Sequence, residues 1–261
     1  MPLTVRTYGD PAATPVVVLH GGPGAPGSIA ALARELADTC HVLEPLQRVR
    51  ADSPLSVAVH VADLVAVVQP FADRGVAPTL VGSSWGAMLA LAFAAAHPAV
   101  AGPLVLVGCG TFDPVSRAAF QATLARRRSE RLGLATAVEV DSAADDDNVT
   151  GYSVDLVTDD DGTESYDAEG GRETWDDMLR LQADGTYPAS FAAIRSPVLM
   201  LHGDYDPHPG RMIRDSLLPH LPQIEYIELK RCGHYPWLER AAREAFYAHL
   251  RAWLTNTTKG P

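Results

Sequence analysis

Apolar residues along the chain fall into short solid blocks separated by longer stretches in which they recur every three or four positions. Val16-Val17-Val18-Leu19, bounded by Pro15 and a Gly/Pro cluster, reads as a buried parallel strand. His41-Val42-Leu43, Thr79-Leu80-Val81, Leu104-Val105-Leu106-Val107, Val198-Leu199-Met200-Leu201 and Ile224–Leu229 predict further strands. Between them, Val57, Val61, Leu64, Val65 and Val68 mark one face of a helix. Trp85 to His97 predicts a second helix stopped by Pro98, and Ala242, Phe246, Leu250 and Trp253 line a last one. Strand alternating with helix predicts an α/β fold, a mostly parallel central sheet flanked by helices on both faces.

The rhythm breaks between residues 113 and 189, and charge changes the picture there. That segment holds 18 of the 32 acidic residues and 7 of the 21 basic ones, a net −11, while the rest of the chain carries 14 of each. It is too long for a plain loop in a compact domain. The expected organisation is therefore a core of residues 1–112 and 190–261, with 113–189 inserted as an acidic, mostly helical cap above the carboxyl edge of the sheet.

Composition removes several classes. With 47% hydrophobic and 20% charged residues among 261, the chain is neither a disordered tail nor a coiled coil. A net charge of −11 without a basic patch argues against nucleic acid as a partner. No apolar run reaches the ~18 residues of a membrane span, and the first fifteen residues lack the pattern of a signal peptide. Three widely spaced cysteines, Cys40, Cys109 and Cys232, fit a reducing interior better than a disulfide framework. A cytoplasmic protein acting on a small molecule or short peptide, with no membrane partner, is the expectation.

Chemistry in open parallel sheets gathers beyond the carboxyl ends of the strands. After Val81 stands Gly82-Ser83-Ser84-Trp85-Gly86, a G-x-S-x-G between strand and helix, where a sharp turn exposes the Ser84 hydroxyl at the positive end of the helix. Ser84 is a candidate nucleophile; the plain alternative is a helix N-cap. A serine nucleophile needs a base, and the base an orienting carboxylate. His234 follows the Ile224–Leu229 strand behind Gly233 and is the candidate base. Asp206 and Asp204 compete for the third place after Leu201, and Asp206, beside Pro207, is favoured. His202, Asp204, Asp206 and His208 are possible metal ligands, but their spacing also suits a strand-to-loop transition, so no metal or other cofactor is expected. His20-Gly21-Gly22-Pro23-Gly24 follows the first core strand. The N–H groups of Gly22 and Trp85 are candidates for an oxyanion hole.

The order Ser84, Asp206, His234 resembles the α/β-hydrolase superfamily. His20-Gly21-Gly22-Pro23-Gly24 together with Ser84-Trp85-Gly86 is similar to its proline iminopeptidase branch, with Gln47-Arg48-Val49 standing where that branch usually shows Asp-Gln-Arg-Gly. Epoxide hydrolases and haloalkane dehalogenases are set aside because they use Asp at the nucleophile position. The resemblance implies hydrolysis of a small amide or ester through an acyl-enzyme. It also implies a cap whose acids hold a free N-terminal amine. Among the acids near Trp175, Glu173 is the candidate amine partner. A carboxylesterase or lactonase of the same fold, or a catalytically silent binding protein, are the competing readings.

Overall fold

Successive residues of the central strands face opposite cores, as their near-unbroken apolar runs demand. The computed structural model describes residues 3–50, 53–132, 151–157, 162 and 164–257. Its strands are β1 (Val5–Tyr8), β2 (Thr14–Leu19), β3 (Cys40–Pro45), β4 (Thr79–Ser83), β5 (Leu104–Val107), β6 (Val198–Gly203) and β7 (Ile224–Leu229). They form one sheet in the order β1-β3-β2-β4-β5-β6-β7. All neighbours pair parallel except β1, which runs antiparallel to β3 at the edge. The α-helices among the described residues are α1 (Ala30–Leu36), α2 (Val57–Ala72), α3 (Trp85–Ala96), α4 (Pro114–Leu132), α5 (Ala168–Ala183), α6 (Gly210–Leu217) and α7 (Arg243–Thr257).

Val17, Leu19, Leu80, Leu104, Leu106 and Met200 pack with α2, α3 and α6 on one face of the sheet. Val16, Val18, Val81, Val105, Leu199 and Leu201 pack with α1 and α7 on the other. The predicted α/β architecture, a mostly parallel sheet between two layers of helix, is the one observed. β1 was not predicted: Val-Arg-Thr-Tyr is a short, half-polar edge strand with little apolar signal. α3 is buried from Trp85 through Ala94, because α2 covers the side turned away from the sheet.

No strand of the sheet comes from residues 113–189 among those described. That stretch supplies α4, α5 and residues 151–157, where Leu156 bridges Glu239 antiparallel. Residues 133–150 of the expected cap lie outside the described residues. α5 is fastened to the start of α2: Asp177 Oδ2 accepts the Val57 N–H at 3.0 Å and Glu173 Oε2 the Leu55 N–H at 2.9 Å. Carboxylates there meet unpaired N–H groups and the positive end of the α2 dipole. No helix among the described residues is long and apolar enough to cross a membrane.

Candidate active site

The carboxyl ends of β2, β4, β5, β6 and β7 converge on one region. At the end of β4 the chain turns into α3 through Ser84, whose φ of 52° and ψ of −115° lie where a residue with a Cβ is strained. The turn is tight enough to require glycine behind it. A Cβ on Gly86 would collide with the carbonyl oxygens of Leu19 and His20, so β2 and α3 approach this closely only with hydrogen at that position. Ser84 holds the N-cap position of α3, but its hydroxyl makes no capping bond and is not spent on the helix.

The Ser84 N–H donates to the carbonyl of Val107 at 2.8 Å. The next residue, Gly108 (φ 54°), backs onto His234 and Asp206: a Cβ there would stand 2.9 Å from His234 Nδ1 and 3.1 Å from Asp206 Oδ2. The end of β5 thus touches the serine turn on one side and the histidine on the other. His234 Nδ1 donates to Asp206 Oδ2 at 2.7 Å, and both side chains are buried. Asp204 turns elsewhere, accepting the Cys232 N–H at 3.3 Å and facing Lys230 at 3.7 Å. Of the two competing aspartates, Asp206 is the one brought to His234.

Asp206 is enclosed by imidazoles. His208 gives Oδ1 both its backbone N–H and its Nδ1–H at 2.9 Å, and His202 Nε2 stands 3.3 Å from Oδ2. Burial alone would push the Asp206 carboxyl up. The surrounding His234, His202 and His208 outweigh it and hold Asp206 well below the usual carboxylate range. Asp206, His208 and His234 bring their potential ligand atoms within 4.8 Å of one another. Hydrogen bonding to one carboxylate accounts for that closeness, and Asp204, which the spacing also offered to a metal, points away.

The glycine loop after β2 lies against the serine turn, since a Cβ on Gly21 would be 3.1 Å from Ser84 Cβ. Gly22 follows with φ 53°. Trp85 occupies the first helical position, whose N–H has no acceptor inside α3. Gln47, named in the sequence only for its place in a motif, braces both. Gln47 Oε1 accepts the Trp85 indole N–H at 2.7 Å, and Gln47 Nε2 donates to the His20 carbonyl at 3.0 Å. The Gln47 N–H donates to His20 Nε2 at 3.2 Å, which leaves His20 Nδ1 to donate to the Gly21 carbonyl at 3.0 Å. Burial lowers His20 to about 4, so its ring is neutral, as this pattern requires.

A second brace is Glu239, fully buried. Its Oε1 accepts the Gly233 and Val154 N–H groups and its Oε2 the Asp155 N–H, each at 2.9 Å. The His234 N–H donates to the Tyr152 carbonyl at 2.8 Å. Glu239 thereby ties the histidine loop to residues 151–157. Neither brace has a local signature, because each depends on partners far away in sequence.

Glu173, the candidate amine partner, already has a contact on each oxygen. Its Oε1 pairs with Arg50 Nε at 2.9 Å and its Oε2 takes the Leu55 N–H, so both oxygens serve the chain itself. Arg50 also pairs with Glu169 at 2.8 Å. Trp175 packs, half-buried, against the core that contains α2 and α3. Other acids of this segment form exposed pairs one turn apart along α5 and its C-cap, Arg172–Asp176 and Arg180–Asp184, the pattern of a solvated helix face.

Residues 16–246 match the model of the alpha/beta hydrolase family, and the chain belongs to that family. A Streptomyces coelicolor protein named "Probable proline iminopeptidase" is 38% identical over 117 residues, covering 41% of this chain and 36% of that protein. The chain thus aligns with little more than a third of this curated relative. An esterase from Thermogutta terrifontis superposes with a TM-score of 0.65 at 18% identity, over 98% of this chain and 93% of that one. The proline iminopeptidase of Mycobacterium smegmatis does so with 0.64 at 20% identity, over 98% and 94%. At such identities these likenesses establish the fold.

Proposed function

We propose that the chain is a serine hydrolase that cleaves a small amide or ester through an acyl-enzyme carried on Ser84. The observation that supports this most is the buried 2.7 Å bond from His234 to Asp206, set across Val107-Gly108 from a serine in a strained, uncapped turn. In this reading His234 Nε2 removes the Ser84 proton as Oγ attacks the substrate carbonyl. Asp206 holds the imidazole with Nδ1–H inward and stabilises the imidazolium that forms. The Gly22 and Trp85 N–H groups receive the negative oxygen of the tetrahedral intermediate. His234 then protonates the leaving group, and water repeats the sequence to release the acid.

In this account the described residues of the 113–189 stretch belong to a cap over the site. The likeness to proline iminopeptidases and the likeness to esterases leave two substrate classes. The ion pair of Glu173 with Arg50 weighs toward the acyl-ester class, because it already partly neutralises the carboxylate assigned to a substrate amine. A panel of aminoacyl arylamides, their N-acetylated counterparts and short-chain acyl esters tests both levels. Wild-type protein is expected to turn over at least one class and Ser84→Ala none. Clear preference for a free-amine arylamide would return the chain to the peptidase class, and turnover by Ser84→Ala would refute the serine mechanism.

A further inference from the structure

A carboxylate that only orients a histidine needs one oxygen; in this site the second oxygen of Asp206 has a dedicated partner. Oδ2 faces His234, whereas Oδ1 accepts two hydrogens from His208, one from its backbone and one from its ring. The His208 ring also stacks on Phe120 of α4, with centroids 4.1 Å apart and planes at 12°, and on His234 at 4.8 Å and 26°. Both rings that share the carboxylate are therefore in contact with each other. Burial lowers His208 to about 4, so at neutral pH it is an uncharged donor.

We propose that His208 is a positioning residue for the reaction: its Nδ1–H anchors Asp206 Oδ1, aims Oδ2 at His234, and tempers how strongly the carboxylate retains a proton on the catalytic imidazole. The inference rests on the assignment of Ser84, His234 and Asp206 above. Rotation about the carboxyl bond of aspartate is soft, so a second strong donor on Oδ1 narrows where Oδ2 points. A carboxylate that accepts more hydrogen bonds is also less basic. Removing the ring donor leaves Asp206 a stronger partner for imidazolium, and the acid limb of kcat/KM moves to higher pH.

Other ionisable groups near the carboxylate do not change charge in that range. Burial pushes up the Tyr152 phenol from residues 151–157, the Tyr235 phenol beside His234, and the Cys109 and Cys232 thiols. Arg127 of α4, which donates to the Tyr205 carbonyl at 2.7 Å, stays cationic. His202, lowered by burial, is the remaining imidazole on Asp206.

The test compares His208→Asn with His208→Leu and His208→Phe. Asparagine places an amide N–H where the imidazole Nδ1 was, leucine has the same branching without a donor, and phenylalanine keeps the ring without a donor. Leucine and phenylalanine are expected to lower kcat about tenfold, with KM within about twofold and the acid limb displaced upward. Asparagine is expected to stay within about threefold of wild type and keep the limb in place. The downfield proton resonance of His234 Nδ1–H, which needs no turnover, should shift with leucine and return with asparagine. Phenylalanine behaving as wild type, or asparagine as impaired as leucine, would overturn the proposal. Absence of wild-type turnover would instead count against the serine mechanism, with the resonance still reporting on His208.

Discussion

The indole N–H of Trp85 donates to the side chain of Gln47 at 2.7 Å, joining the first residue of α3 to the segment that follows β3. The same amide holds the carbonyl of His20, so one side chain spans the two backbone segments assigned to the oxyanion hole. Gln47→Leu fills similar volume but strands a buried indole N–H and a buried carbonyl. It should destabilise the protein by roughly 2–4 kcal/mol and reduce kcat more than it raises KM. Urea denaturation and steady-state kinetics check both; unchanged kcat in a folded variant would mean that the brace serves stability alone.

Ser84 stores strain that glycine would relieve. Ser84→Gly and Ser84→Ala should both abolish turnover, yet the glycine variant should be the more stable by roughly 1 kcal/mol, because alanine still occupies a positive φ. Thermal melts of the two variants side by side give the answer. Equal melting temperatures would indicate that the turn is relaxed.

Asp206→Asn replaces an oxygen that accepts a ring N–H with a group that cannot be an acceptor at both positions, so His234 loses its orientation. Turnover should fall on the order of 10³–10⁴-fold. Asp204→Asn, facing Lys230 and the Cys232 N–H at the surface, should cost less than about tenfold. The reverse order would make Asp204 the orienting acid.

Three buried imidazoles make the fold acid-sensitive. Burial lowers His20, His60 and His208 to about 4 each, against an ordinary value of 6.5. Between those values the unfolded chain binds protons that the folded chain refuses, so stability is full above pH ~6.5 and is lost as pH falls toward 4. Each imidazole contributes up to roughly 3 kcal/mol when the window is fully crossed, enough together to unfold a typical domain before pH 4 is reached. Thermal melts from pH 8 to 4 should show the decline beginning near pH 6.5; a melting temperature flat from pH 7 to 5 would contradict it.

The three residues at the centre of the site were legible because each stands just past an apolar strand block, where a parallel sheet places its chemistry. The choice of Asp206 over Asp204 rested on loop composition, and the fold places it beside His234. The braces were not legible. Gln47 drew notice only as part of a motif and His208 only as a possible ligand, and Glu239 drew none; that Gln47 and Glu239 act as braces emerges only when segments distant along the chain are brought together. The contacts of Glu173 were hidden for the same reason: nothing local signals that Arg50 and the Leu55 N–H will meet a carboxylate on α5. β1 escaped notice because a polar-alternating edge strand carries almost no apolar signal.

Covalent capture of the nucleophile tests the central claim most directly. The protein is incubated with a fluorophosphonate near neutral pH, digested, and mapped by mass spectrometry. The phosphonyl adduct should sit on Ser84 of the wild type, be absent from Ser84→Ala, and form far more slowly in a folded His234→Ala variant. Labelling that is absent from the wild type, or that falls on Ser83 or any other residue instead of Ser84, would contradict the account.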